Sequence, residues 1–318
     1  ATTYRNPTER VLFDPVRDAN PFFHFFEALW ILAGRNDVAF LKQFNSNIAS
    51  YSDDGKTFHA PYGQRIRVYM SDNPENSDGY IDQLSAVISM LRADHDTRQA
   101  VLTIWDPDLD LGRKSRDIPC NDMIFLKIRD EKLEMRVCCR SNDVIWGAYG
   151  ANVVQFSTLQ EFIAGAVGVG VGPYTQISDS FHIYTEREDW ARIKDSVAVP
   201  DPYVEDISGS DAEDGYAQVY PYRMWDGVSH SALFWLTELA LFMKYAMPGE
   251  HLPMTFQFQV PYLQDVALPM LRAWRCWKSE FGNKNVRIAN AAHVLDRECL
   301  ASDWTLAGKL WLKRRQGV

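Results

Sequence analysis

Arg140 stands twenty positions after Cys120 in this 318-residue chain, and the pairing of a thiol with a guanidinium can do chemistry. Cys120 follows a proline in "DIPCND". Arg140 opens "RSND", which also carries Ser141 and Asp143. A thiolate is strongly nucleophilic near neutral pH when its pKa is lowered. An arginine beside it would supply positive potential, and its planar fork also suits a phosphate. Gly147, Asn152 and "DSFHIY" with Asp179, His182 and Tyr184 follow, and Glu27, Tyr62 and Arg98 lie upstream. Taken alone, a cysteine is more often structural, so filler, half-disulfide, metal ligand and nucleophile all stay open. The cysteines at 120, 138, 139, 276 and 299 are odd in number, and no Cys-x-x-Cys pair exists. That argues against a structural zinc site, and no metal is expected. Cys138 and Cys139 are adjacent, so on a strand they point to opposite faces.

These residues need elements to hold them. Residues 20–34, "NPFFHFFEALWILAG", predict a buried helix with Asn20 as N-cap, Pro21 at the first helical position and Gly34 at the stop. Glu27 is out of place there, because a buried carboxylate is unfavourable unless paired or protonated. It either reaches solvent at the helix edge or forms the floor of a site. Turn signals, "SDDGK" and "HAPYGQRIR", mark 51–67. Residues 80–93 form an amphipathic helix with Ile81, Leu84, Val87, Ile88 and Leu91 on one face. A strand, "QAVLTIW", precedes a charged loop over 106–118.

Two strands follow, "MIFLKIR" and "KLEMRVCCRS", in the second of which Leu133, Met135 and Val137 alternate with Glu134 and Arg136. A long helix runs from about Asn152 to Gly168, and "YTQISDSFHIY" is a strand leading to a helix or loop. Residues 200–215 read as an acidic surface loop. Residues 230–247 read as an apolar helix, "MTFQFQV" as an alternating strand, and "LPMLRAWRCWKSEF" as a final amphipathic helix. No repeat or linker divides the chain, so residues 1–318 read as a single α+β domain.

Composition narrows the function. With 46% hydrophobic residues the chain can bury a large core. Its net charge of −9 makes it a poor general binder of nucleic-acid backbone, although a local cationic pocket for one phosphate stays open. No signal-peptide pattern opens the sequence, and the most apolar stretch, "FIAGAVGVGVGPY", falls short of a membrane span. A cytoplasmic protein with reduced thiols is expected, with no membrane or polymeric nucleic-acid partner.

Seven blocks in order resemble the thymidylate synthase superfamily, which includes the pyrimidine-nucleotide hydroxymethylases. "FEALWILAGRNDVAFL" resembles the family's helix with its catalytic glutamate, here Glu27. "APYGQRIR" resembles the Pro-x-Tyr-Gly-x-x-x-Arg block and supplies Tyr62. "DTRQAVLTIWDP" resembles the strand that sends arginines across the dimer interface; Arg98 matches the first of the pair and Gln99 replaces the second. "IPCN" is similar to the Pro-Cys-His block, with Asn121 in place of histidine. "CRSNDVIWG", "NVVQFSTL" and "SDSFHIY" complete the series. The resemblance is firm over about residues 20–190 and loose beyond.

What the resemblance implies is a thymidylate synthase-like α+β fold, a mixed sheet with packed helices, paired sheet to sheet as a homodimer. The co-substrate would be 5,10-methylenetetrahydrofolate and the substrate a pyrimidine nucleoside monophosphate. Cys120 would add to C6, making C5 nucleophilic enough to attack a one-carbon donor. Arg140, and Arg98 from the second subunit, would hold phosphate. Asn152 would read the base, since its amide donor and acceptor match O4 and N3–H of uracil; as a bare residue it is equally an ordinary helix N-cap. Glu27, with a pKa raised by burial, and Tyr62 would handle protons. His182 and Tyr184 would bind the sugar hydroxyl, although either is equally a satisfied core residue. Ser141 fits a deoxynucleotide. Asp143 would serve both the reacting centre and the folate, with Tyr51 and Gly147 on the folate side.

Departures from the family pattern point toward hydroxymethylation. The family's N-terminal phosphate-loop arginine is expected to be either missing or cut away before Glu27, and Arg5 and Arg10 are weak substitutes. "NSNIASY" puts Tyr51 where synthases carry a tryptophan that shields the methylene adduct from water. The segment from Gly147 to Asn152 is one residue longer than in synthases. No aspartate stands at 152 to partner a cytosine amino group, which tilts the reading toward dUMP over dCMP. The expected activity is that of a phage-type 5-hydroxymethylase, with thymidylate synthase proper as the alternative. A catalytically inactive relative that binds nucleotide or RNA is the competing class, and intact Cys120, Arg140 and Asp143 argue against it.

Overall fold

A hairpin of two alternating strands makes the middle of the molecule's main sheet. Strands Asn121–Arg129 and Lys132–Asp143 are joined by Asp130 and Glu131, whose φ angles of 50° and 55° are those of a tight primed turn. Ile124, Leu126, Ile128, Leu133, Met135 and Val137 all turn inward and are buried. Lys127 and Glu134 face outward and pair at 2.9 Å. The computed structural model describes residues 1–71, 79–197, 199–206, 208, 216–225, 231–253 and 256–316.

The sheet has five strands among these residues, in the order Thr2–Tyr4, Gly170–His182, Lys132–Asp143, Asn121–Arg129, Val101–Thr103. Lys132–Asp143 and Gly170–His182 run parallel, and the helix Ala151–Val167 crosses between them. That helix is buried on nearly every side. Gln160 ties it to the sheet, its Nε2 donating to the carbonyls of Leu133 at 2.7 Å and Gly172 at 2.9 Å.

The chain folds as two compact units. The first comprises Ala1–Thr8, Phe26–Ile183 and Ser231–His251, and it contains the sheet. The second comprises Glu9–Phe25, Tyr184–His230 and Leu252–Val318. In the second unit Phe22, Trp274 and Trp311 pack ring against ring, and Asp303 is buried with the Tyr203 hydroxyl donating to it at 3.0 Å.

The first helix runs Pro21–Leu32, and Asn20 Oδ1 accepts from the amides of Phe22 and Phe23, as the sequence predicts. A short helix, Tyr62–Arg67, meets the far end of it backbone to backbone: a side chain on Gly63 would run into the Ile31 carbonyl. Ile31 is one turn beyond Glu27, so this close approach also fixes Tyr62 relative to that turn.

Two expectations change in the C-terminal third. The stretch "MTFQFQV" forms no strand over residues 256–260, while 254 and 255 lie outside the described residues. There the amide of Phe258 goes to Gln264 Oε1 at 2.9 Å instead of to a ladder. The helix Leu268–Lys278 is not the last, since Lys284–Glu298 and Ser302–Lys313 follow. The acidic stretch 200–215 is described over 200–206 and 208, which form turns and irregular backbone. No helix among the described residues is long and apolar enough to cross a membrane.

Candidate active site

The hairpin register explains the spacing of twenty. Asn121 pairs with Cys139, so the preceding Cys120 comes to lie across from Arg140. Arg140 Nε donates to the Pro119 carbonyl at 2.7 Å and Nη2 to that of Ile118 at 3.1 Å. Nη2 also reaches the Cys120 sulfur at 4.0 Å, and the guanidinium lies 5.8 Å from the Trp105 ring centre. The arginine thus grips the backbone that carries the cysteine. One expectation is corrected here. Burial first, then Asp117 and Asp122, pushes the Cys120 thiol up, and the opposing pull of Arg140 and Ser141 does not overcome them. The free protein holds a thiol with a cation beside it, not a standing thiolate.

The charged loop before Cys120 is pinned from two sides. Arg65 and Asp110 form a buried ion pair, with Arg65 Nη2 to Asp110 Oδ1 at 2.8 Å, and His59 Nε2 lies 3.0 Å from the same carboxylate. Nearer the cysteine, Asp53 accepts from the Ser115 hydroxyl at 2.6 Å and the Arg116 amide at 3.1 Å. Tyr51 ends the short 3₁₀ turn Ser46–Tyr51, two residues before Asp53, with its ring half exposed.

Just after Cys120 the strand carries a bulge. Asn121 pairs with Cys139 and Met123 with Cys138, so Asp122 is surplus to the ladder. The Asp122 carbonyl accepts the amides of Ile104 at 2.8 Å and Trp105 at 3.0 Å. Asn121 is thereby turned inward and fully buried, and its Oδ1 accepts from the Cys139 thiol at 3.0 Å. Tyr62 meets this corner and stacks on Phe156 at 5.8 Å. Burial and the nearby Cys120 hold its phenol far above the ordinary value, so the side chain stays a neutral phenol.

Glu27 is half-buried, and Gln155 Nε2 donates to its Oε2 at 2.6 Å. Burial pushes the carboxyl up to about 7, while the Gln155 bond pulls it down. Of the two readings of Glu27, this favours the floor of a site. Gln155 was not singled out from the sequence; the available signal was a glutamine set between Val154 and Phe156, three residues after Asn152.

Asn152 is not the cap of its helix; Gly150 holds that position. The Asn152 amide instead donates from Nδ2 to Asn142 Oδ1 at 3.5 Å. Asn142 is buried, and its own Nδ2 donates to Gln176 Oε1 at 2.6 Å and Ser178 Oγ at 2.9 Å. Those bonds leave only an oxygen of Asn142 to face Asn152, which fixes which way the Asn152 amide points. Gly147 makes the meeting possible: a Cβ there would collide with Asn142 Oδ1 and stand 3.1 Å from Asn152 Nδ2. Gly147→Ala is therefore expected to cost about 1–3 kcal/mol of stability and to weaken nucleotide binding. Urea unfolding together with titration calorimetry against dUMP checks this, and two unchanged values would show that the crowding is absorbed.

The remaining residues are spread more widely. Asp143 Oδ1 accepts the amides of Ile145 and Trp146, both at 2.7 Å, and so caps the following turn. His182 sits opposite Asp143 in the parallel register, with its Nδ1 3.2 Å from Ser180 Oγ. Tyr184 belongs to the second unit and is exposed, with the Arg187 guanidinium 6.0 Å from its ring centre. Arg98 is exposed and borders a hollow of about 370 Å³ on the outward face of the sheet, with Phe125, Lys127, Arg136 and Ile177. The structure thus brings Cys120, Arg140, Ser141 and Tyr62 together. Glu27 joins them through Gln155 and Phe156, and Asn152 joins through the same helix.

A cysteine set beside an arginine on a mixed sheet, with a glutamate of raised pKa behind it, is the arrangement that the sequence resemblance implies. Residues 22–198 match the family described as thymidylate synthase, and the chain belongs to that family. A deoxyuridylate hydroxymethyltransferase of Pseudomonas phage M6 is 41% identical over 321 residues, covering 100% of this chain and 84% of that protein. The deoxyuridylate hydroxymethyltransferase of Bacillus phage SP01 is 46% identical over 188 residues, 58% of this chain and 48% of its own length. A putative thymidylate synthase of Methanococcoides burtonii is 36% identical over 142 residues, 45% of this chain and 59% of that protein. The chain spans about half the length of the Bacillus phage relative.

Proposed function

We propose that the chain is a 5-hydroxymethylase of pyrimidine deoxynucleoside monophosphates, with dUMP favoured over dCMP and 5,10-methylenetetrahydrofolate as co-substrate. The observation that carries this reading is Cys120 held across from Arg140, with Nη2 4.0 Å from the sulfur. The full-length likeness to a protein named for deoxyuridylate hydroxymethylation supports the choice of reaction, and of one catalytic domain over residues 1–318.

In this reading Arg140 holds the substrate phosphate and stabilises the thiolate as it forms. The sulfur adds to C6 and makes C5 nucleophilic. C5 takes up the one-carbon unit, loses its proton, and is left bearing a methylene group. Water then adds to that methylene with Glu27 as base, and Cys120 leaves C6. Asn152 reads the base edge, Asp143 steadies the turn that leads to it, and His182 and Tyr184 serve the sugar. Tyr51, exposed on a turn tied to the loop before Cys120, fits an aromatic wall for the pterin.

Two copies would pair through the outward sheet face, where Phe125 and Ile177 are exposed beside Arg98, and Arg98 would reach the partner's phosphate. The expected location is the cytoplasm, that of the host if a phage encodes the chain. The decisive assay incubates the protein with dUMP or dCMP and methylenetetrahydrofolate. A product heavier by CH₂O without absorbance growth from dihydrofolate is expected. Dihydrofolate formation with a methylated product would mark a thymidylate synthase instead.

A further inference from the structure

Gln155 is buried, and among the described residues it is the one hydrogen-bond partner of Glu27, at 2.6 Å. Only half of its amide is used. Its Oε1 is fully buried and has no partner among the described residues. A buried carbonyl oxygen left unpaired is unfavourable, so it persists where something that binds there satisfies it. Gln155 follows Asn152 by three residues, on the same helix face, and its neighbour Phe156 stacks on Tyr62. The unpaired oxygen therefore belongs to the ground between the base-reading asparagine and the proton-handling glutamate.

We propose that Gln155 is a positioning residue for the hydration step, holding Glu27 through Nε2 and the attacking water through Oε1. The proposal rests on the hydroxymethylase reading above. The water oxygen bonds to the methylene carbon on C5, and the electrons of that double bond move onto the C4 carbonyl as an enolate. One water proton goes to Glu27; the other hydrogen stays on the new hydroxyl and is oriented by Gln155 Oε1. The enolate then re-forms the C5–C6 double bond and expels the Cys120 thiolate. Nothing is oxidised or reduced. A reductive methylation has no water to hold, and an acceptor reserved for one would be idle there.

Burial and the Gln155 bond are the two influences on the Glu27 carboxyl, with no charged side chain acting on it among the described residues. Tyr62 and Cys120 are both pushed upward, and so are the carboxyls of Asp117 and Asp122 that bear on Cys120, but of the carboxyls in this corner Glu27 is the one carried to about 7. An acid limb near neutrality in the rate profile therefore reports Glu27.

The test is Gln155→Leu, which keeps the bulk and removes both amide atoms. The variant should form the covalent complex with 5-fluoro-dUMP and methylenetetrahydrofolate within about twofold of the native protein, since that complex needs no water. Its kcat for 5-hydroxymethyl-dUMP should fall about 10²-fold, and the acid limb should move to higher pH. Gln155→Asn, which restores both amide atoms on a shorter arm, should recover part of the rate above that of the leucine variant. Native protein that makes 5-hydroxymethyl-dUMP, alongside a leucine variant with unchanged kcat and an unmoved limb, overturns the role of Gln155 and leaves the activity standing. A leucine variant that loses the fluoro complex in proportion to turnover also overturns it, since the residue then serves the earlier steps. Native protein that forms no hydroxymethyl product overturns the activity itself, and the water-holding role with it.

Discussion

Cys120→Ser is expected to abolish the covalent complex with 5-fluoro-dUMP and methylenetetrahydrofolate and to lower turnover by ~10⁴-fold or more. A serine hydroxyl fits the same space but is a far poorer nucleophile at neutral pH. The substitution leaves the hairpin, the Arg140 contacts to Ile118 and Pro119 and the buried Asn121 in place, so the circular dichroism spectrum should not change. Intact mass spectrometry of the denatured complex reads the bond directly. An adduct that survives in the serine variant removes Cys120 from the reaction. Arg140 sharpens the same experiment. Its charge pulls the Cys120 pKa down against burial, so Arg140→Gln should move the pH dependence of thiol alkylation further up. A profile that stays put would mean that the arginine serves phosphate alone.

Glu27→Gln should have the second largest effect, in opposite directions on rate and stability. The rate should fall by ~10²–10⁴-fold and the acid limb near pH 7 should vanish, because the variant has no proton to exchange. Stability should rise above neutrality. The folded protein raises the Glu27 carboxyl from its ordinary 4.5 to about 7, so between these values the folded state binds more protons than the unfolded state. This group's contribution is fully present below pH 4.5 and is lost as the pH rises through 7. Glutamine removes that loss. It should stabilise the protein at pH 8 by roughly 2 kcal/mol, a figure that allows for the carboxyl's partly open side, and by little at pH 4. Urea midpoints at the two pH values test the sign. A variant no more stable at pH 8 than the native protein would show that the carboxylate is not strained by its surroundings.

The parts of this site legible in the sequence are those set by local rules. Asn20 caps the first helix because its short side chain reaches the free amides. Cys120 and Arg140 are brought close because a hairpin with a two-residue turn returns the chain alongside itself, and the bulge at Asp122 makes the last adjustment of register. What stayed hidden depends on packing. Whether burial or Arg140 wins at the thiol is decided by atoms far away in sequence. The Glu27–Gln155 contact spans 128 positions, and no local pattern ties the two residues together. Asn142 looked like a spacer within "RSND", yet it orients Asn152. Residues 256–260 alternate like a strand but pair with no edge among the described residues. The helix Lys284–Glu298 buries only Ile288, Ala291 and Leu295, too thin a stripe to stand out in a polar segment.

Asp122, the residue in excess of the ladder, makes part of this enzyme depend on arithmetic. Removing it would restore strict alternation from Met123 back to Cys120. Met123 faces outward, so Asn121 would still follow inward opposite Cys139 and Cys120 outward beside Arg140, while Ile124, Leu126 and Ile128 kept their places in the core. What would go is the carbonyl that takes the amides of both Ile104 and Trp105, and with it the fastening of the segment that sets the Trp105 ring beside Arg140. The surplus residue therefore serves the site through its backbone, and a one-codon deletion here is a heavier event than a change of its side chain.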